Sequence, residues 1–137
     1  MKLKAVHHIA IIVSDYEKSK DFYVNKLGFE IIRENHRPER HDYKLDLRCG
    51  DIELEIFGNR LDDPEYETPP QRIGRPNWPR EACGLRHHAF YVPDVEAYKV
   101  ELENLGIFVE PIRYDDYTDK KMTFFFDPDG LPLELHE

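Results

Sequence analysis

His8 and His87 stand 79 residues apart in this chain, and so do Glu55 and Glu134. Imidazoles and carboxylates bind divalent transition metals, and both can move protons at a metal-polarised substrate. Two of each on one surface would form an N₂O₂ site. Taken singly, each His reads as a surface or core residue and each Glu as an ordinary polar strand residue. The repeat changes that reading, because one spacing selects the same two chemical types twice. His7 and His88 fall on the opposite strand parity, and Glu53 has Pro132 where a second Glu would be needed, so these are second choices. His36 and His41, read as lying in a loop between strands, and His136, next to the end, receive no role.

Such a quartet needs elements that repeat with it. Val6 to Val13 is β-branched and apolar and stops at Ser14-Asp15-Tyr16-Glu17, which has the Ser-x-x-Glu form of a helix capping box. A helix carrying Phe22, Tyr23 and Leu27 follows and closes at Gly28, and Gly28 to Ile32 reads as a strand. Tyr43 to Cys49 and Asp51 to Phe57 alternate apolar and polar residues, as half-buried strands do. The second half repeats this order. His87 to Asp94 matches His8 to Asp15 at His, Ala, Val and Asp; Asp94 caps a helix with Val95, Tyr98, Leu102 and Leu105 at helical spacing; Gly106 ends it. Ile107 to Ile112, Met122 to Phe126 and Leu131 to His136 are the expected strands, with a turn at Asp127-Pro128-Asp129-Gly130. The pattern predicts a duplicated βαβββ unit.

Successive strand residues point to opposite faces, so the repeat can be checked by parity. Ile9, Ile11 and Val13, with Ile52, Leu54 and Ile56, form one face, expected beneath a helix. His8 and Glu55 share the other. In the second half Phe90 and Val92, with Leu131, Leu133 and Leu135, leave His87 and Glu134 together. Phe57, Tyr91 and Phe125 are expected on the same face as wall residues, and Lys44 and Arg48 as substrate-binding cations; the plain alternatives are barrel filling and a salt-bridged surface.

Residues 58–82 carry five of the ten prolines and little periodicity, so the expected organisation is module 4–57, connector 58–82 and module 83–137 within one domain. The connector is acidic first (Asp62, Asp63, Glu65, Glu67) and basic later (Arg72, Arg75, Arg80), as a solvated loop, a lid or a dimer contact would be. A chain of 137 residues with 40% apolar and 12% aromatic residues can bury a core without disulfides, so Cys49 and Cys83 are expected as free thiols. A formal charge of −9 opposes nucleic acid and anionic lipid as partners, and no apolar run is long enough for a membrane span or a signal peptide, so a cytoplasmic location is expected.

The sequence resembles the vicinal oxygen chelate superfamily, which includes glyoxalase I, the extradiol dioxygenases, methylmalonyl-CoA epimerase and the fosfomycin and bleomycin resistance proteins. The resemblance spans nearly the whole chain. It rests on Val6-His7-His8-Ile9-Ala10-Ile11, on Phe22-Tyr23-Val24-Asn25-Lys26-Leu27-Gly28-Phe29, on Leu54-Glu55-Ile56-Phe57, on Gly84-Leu85-Arg86-His87-His88-Ala89-Phe90 and on Asp127 to Glu134. It implies an α+β fold in which two tandem βαβββ modules form a curved, half-open barrel of mixed sheet with helices outside. In glyoxalase I, His, Glu, His and Glu hold the metal at the positions occupied here by His8, Glu55, His87 and Glu134. A small bacterial glyoxalase-like subgroup is the most similar branch, through Arg80 to His87, with Pro79 before Arg80 instead of after it.

What the resemblance implies is a lactoylglutathione lyase-like lyase or isomerase with one divalent ion, nickel, cobalt, zinc or manganese, with iron also compatible. Its substrate would be a hemithioacetal or related α-oxo compound, isomerised through a metal-stabilised enediolate, with Glu134 the first candidate for the base and Glu55 the second. A homodimer is expected. Ile12 stands where bacterial glyoxalase I has an Arg that anchors glutathione, which argues against glutathione itself as the thiol. The alternatives are an iron-dependent extradiol dioxygenase, disfavoured by Glu55, and a non-catalytic small-molecule-binding protein of resistance type.

Overall fold

A computed structural model describes residues 1–71 and 83–137. The connector residues 72–82, with Arg72, Arg75 and Arg80 and the first part of the Arg80 to His87 motif, lie outside the described residues. The chain divides into two compact units, Met1–Gln71 and Arg72–Glu137. The class is α+β, and each unit is one four-stranded mixed sheet with a helical segment between its first two strands.

In the first unit, β1 (His8–Ile12) is followed by α1 (Tyr16–Lys20), β2 (Glu30–Arg37), β3 (Asp42–Cys49) and β4 (Ile52–Gly58), in the sheet order β1-β4-β3-β2. β1 runs parallel to β4, and the other pairs are antiparallel. Asp15, not Ser14, caps α1, its carboxylate accepting from the Lys18 amide at 3.1 Å. The helix then widens to a π-turn over Asp21–Lys26, where the Leu27 amide donates to the Phe22 carbonyl at 3.0 Å. That turn buries Phe22 and Tyr23 together, and Gly28 ends it at φ +77°, a left-handed conformation that costs glycine nothing. β2 runs to Arg37, so His36 is a strand residue and not part of a loop, stacked on Tyr43 with ring centroids 4.5 Å apart.

The predicted parity holds in this unit. Leu45, Leu47, Leu54, Ile56 and Ile11 are buried on the face covered by the helix, where Tyr16 stacks on Tyr43 and donates to Glu34. At Gly58 the backbone passes so close to β1 that a Cβ would lie 2.9 Å from the Val13 carbonyl oxygen, which leaves room only for glycine.

The second unit contains β5 (His88–Tyr91), α2 (Val95–Asn104), β6 (Arg113–Tyr114), β7 (Lys121–Phe126) and β8 (Pro132–His136), in the equivalent order β5-β8-β7-β6. Asp94 caps α2 through the Ala97 amide, as expected. The strand expected over 107–112 does not form. That stretch makes a single bridge, Val109 to Phe125, and Pro111 has no amide with which to continue a ladder, so the second strand of this unit is only the two residues of β6. The Asp127 carboxylate accepts from the Asp129 and Leu131 amides at 2.9 and 2.8 Å, and this turn sets the start of β8 and hence the register of Glu134.

The wall expectation needs one correction. Phe125 pairs across the ladder with Leu133, which places it on the helix-covered face, buried to 1% exposure. Phe124, opposite Glu134, is the aromatic that shares the carboxylate's face.

Candidate functional site

Parallel pairing of β1 with β4 brings His8 and Glu55 onto neighbouring strands with the same outward parity. His8 Nε2 lies 3.8 Å from Glu55 Oε2. The other ring nitrogen of His8 is 2.9 Å from His7 Nδ1, so the neighbouring histidine occupies Nδ1 and leaves Nε2 directed at the carboxylate. In the second unit, β5 and β8 pair in the same way, and His87 Nε2 lies 2.9 Å from Glu134 Oε2. The Phe124 ring meets the His87 ring edge to face at 5.3 Å, and Arg86 Nη1 is 3.3 Å from His87 Nδ1. Glu134 is 6% exposed, a burial that a carboxylate tolerates only with a polar or charged partner.

Each unit thus contributes one imidazole–carboxylate pair through the same two atom types. Among the described residues no group of three His, Cys, Asp or Glu side chains arranged to hold a metal ion occurs, so neither pair has a third donor of its own. Nitrogen and oxygen donors in this combination suit a divalent transition ion.

Around Glu55 the face is a ladder of opposite charges. Lys44 Nζ lies 3.1 Å from Glu55 Oε1 and 3.4 Å from Asp46 Oδ1, and Arg33 Nε pairs with Asp46 Oδ2. Asp46 has no exposed side-chain surface. The hydrogen bond to Glu55, reinforced by the charge of Asp46, outweighs desolvation and raises the Lys44 ammonium above its ordinary pKa. Arg48 pairs with Glu53 at 3.7 Å, and Arg33 reaches Glu53 at 4.0 Å. Lys44 and Arg48 therefore each have a carboxylate within the sheet. Strand alternation does not signal Arg33, because a β-bulge between Ile31 and Arg33 shifts the register and brings Arg33 to Asp46.

Phe57, on the Glu55 face, lies under the Arg37 guanidinium at 5.0 Å, and Arg37 is itself held by Asp42 through two hydrogen bonds. Phe57, Ala10 and Ile12 contribute to a cavity of about 890 Å³ within the first unit, whose rim includes Arg37, Arg40 and Tyr66. Nothing in the strand periodicity signalled that cavity, since its far wall comes from the β2–β3 connection and the segment beyond β4. Tyr91 shares the parity of Glu134 and is 80% exposed. Cys49 is half-buried and Cys83 exposed, and both are free thiols. Among the described residues no helix is long and apolar enough to cross a membrane.

Comparison with known proteins agrees with this architecture. A solved structure described as SMU.1112c is 76% identical, covers 99% of this chain and 100% of its own, and superposes with a TM-score of 0.94. A glyoxalase family protein from Enterococcus faecalis is 55% identical, with full coverage of both chains and a TM-score of 0.82. The protein YwkD of Bacillus subtilis (strain 168), described as uncharacterized, is 54% identical over 100% of this chain and 99% of its own. More distant relatives are named glutathione transferase FosA, lactoylglutathione lyase and catechol-2,3-dioxygenase. The family description Glyoxalase/Bleomycin resistance protein/Dioxygenase superfamily matches residues 5–135, and the chain belongs to that superfamily.

Proposed function

We propose that this protein is a metal-dependent lyase or isomerase of glyoxalase I type, acting on a hemithioacetal or a related α-oxo substrate. The observation that carries the reading is the recurrence, in both units, of a His Nε2 facing a Glu Oε2, at 3.8 Å for His8 and Glu55 and 2.9 Å for His87 and Glu134. In this reading His8, Glu55, His87 and Glu134 hold one divalent ion, which acts as a Lewis acid toward adjacent substrate oxygens. Glu134 removes the proton from the hydroxyl- and sulfur-bearing carbon beside the carbonyl and returns it to the former carbonyl carbon, while the hydroxyl proton passes to the former carbonyl oxygen, so the net change is an isomerisation to the thioester. Its low exposure limits the access of solvent to the carboxylate. His87, braced against Phe124, orients the carboxylate. Phe57 and Tyr91 supply apolar contact for the substrate.

Ile12, 73% exposed, lines the cavity, while Lys44 and Arg48 are neutralised by their own sheet. A thiol carrier other than glutathione fits that surface better. The protein works as a cytoplasmic homodimer in this proposal. The test is metal analysis of purified protein beside Glu134→Gln, followed by a screen of aldehyde–thiol adducts. Stoichiometric metal in the wild type, less in the variant and turnover of an adduct by the wild type alone are expected. Equal, negligible metal in both proteins overturns the reading.

A further inference from the structure

We propose that Lys44 is a positioning residue that reserves one oxygen of Glu55, so that this carboxylate meets a metal ion through Oε2 alone. The inference rests on the metal-dependent reading above and adds to it an inequality between the two glutamates.

The two oxygens of Glu55 face different groups. Oε1 lies 3.1 Å from Lys44 Nζ, and Oε2 lies 3.8 Å from His8 Nε2. Lys44 is not a loose surface lysine that could swing away. Its ammonium is also 3.4 Å from Asp46 Oδ1, and Asp46, without exposed side-chain surface, is gripped on its other oxygen by Arg33. The order Arg33, Asp46, Lys44, Glu55 alternates in sign at every step, so each charge holds the next in place. Register explains the reach. On the β3–β4 ladder Asp46 is opposite Glu55 and Lys44 is opposite Phe57, so the lysine stem runs past the Phe57 ring, 5.8 Å from Nζ, back to the carboxylate.

The second unit has the same ladder with different occupants. Phe124 is opposite Glu134, where the first unit has Asp46, and Met122 is opposite His136, where the first unit has Lys44. Among the described residues no Lys or Arg forms an ion pair with Glu134. Among the described residues, the duplicated fold has therefore given Glu55 a lysine tether, whereas Glu134 pairs with His87. A tethered carboxylate suits a standing ligand, and an untethered one suits a group that takes up and releases a proton. Lys44 accordingly serves the sheet and the ligand, in place of the anionic substrate group that sequence reasoning gave it.

Cobalt(II) titration of metal-free wild type, Lys44→Met, Lys44→Gln and Lys44→Arg tests this, with visible absorption and chelator competition as readouts. In Lys44→Met and Lys44→Gln, Oε1 is released, the carboxylate closes on the ion through both oxygens, and the higher coordination number lowers the d–d absorption by about twofold. Loss of the neighbouring ammonium tightens cobalt binding about tenfold, within the scale on which outer partners act on metal affinity. Lys44→Arg keeps the wild-type spectrum. A merely structural lysine would lower the melting temperature in the neutral variants without changing the spectrum of bound cobalt. Unchanged band intensity and affinity in both neutral variants, or a Lys44→Arg spectrum matching theirs, overturns the proposal while leaving the metal reading intact. Wild type that binds no cobalt overturns both.

Discussion

Asp46 offers the sharpest test of how the charged face is built. Replacing it with Ala removes the shared counter-ion of Arg33 and Lys44 from a position with no exposed side-chain surface. Breaking a fully buried ion pair costs about 3–5 kcal/mol, because a charge is stranded away from water. The stranded partners here are not fully buried, with Arg33 side-chain exposure at 55% and Lys44 at 26%, so both can recover part of their hydration. The expected loss is therefore about 2–3 kcal/mol, the range of hydrogen bonds to charged groups. For a chain of this length that corresponds to a fall in melting temperature of roughly 6–10 °C. Urea and thermal unfolding of Asp46→Ala, Lys44→Met and the double variant measure it. The pair should couple, with the double variant losing about 1 kcal/mol less than the sum of the single losses. Arg48→Ala is the control, because its pair with Glu53 is half-exposed and should contribute less than about 1 kcal/mol. An Asp46→Ala loss no larger than that of Arg48→Ala, or strict additivity with Lys44→Met, would refute the alternating-charge ladder.

Two further outcomes follow from the packing. Phe125→Ala should destabilise by about 3–5 kcal/mol as a buried aromatic truncation, measured by urea unfolding; a loss below 1 kcal/mol would return Phe125 to the open face. Burial pushes the Glu34 carboxyl up, but hydrogen bonds from Lys20 and Tyr16 outweigh it and hold the group below its ordinary value of 4.5. A lowered native pKa means stability present above the unfolded value and lost as the pH falls through the native one. Wild type should therefore lose stability below pH 4.5 more steeply than Glu34→Gln, and parallel acid limbs in melting experiments would contradict the assignment.

The sequence alone determined the duplicated βαβββ order, because the apolar run of β1, the alternation of β3 and β4 and the 79-residue recurrence of His8 and Glu55 need no tertiary information. It also paired each His with its Glu, since strand parity follows from the two-residue repeat of the backbone. Where both faces of a strand are apolar, that logic has no phase. β7 reads Met122-Thr123-Phe124-Phe125-Phe126, and only its register with β8 showed that Phe124, not Phe125, stands across from Glu134. The bulge that brings Arg33 to Asp46 and the failure of 107–112 to pair depend on contacts with other strands, which local spacing does not encode. The π-turn over Asp21–Lys26 belongs with them, because burying Phe22 and Tyr23 together overrides regular helical spacing. Tertiary structure also decided which charges neutralise one another. Lys44 could have faced a substrate as well as Glu55 by parity alone, and the 3.1 Å approach of its ammonium to Oε1 is a product of side-chain packing.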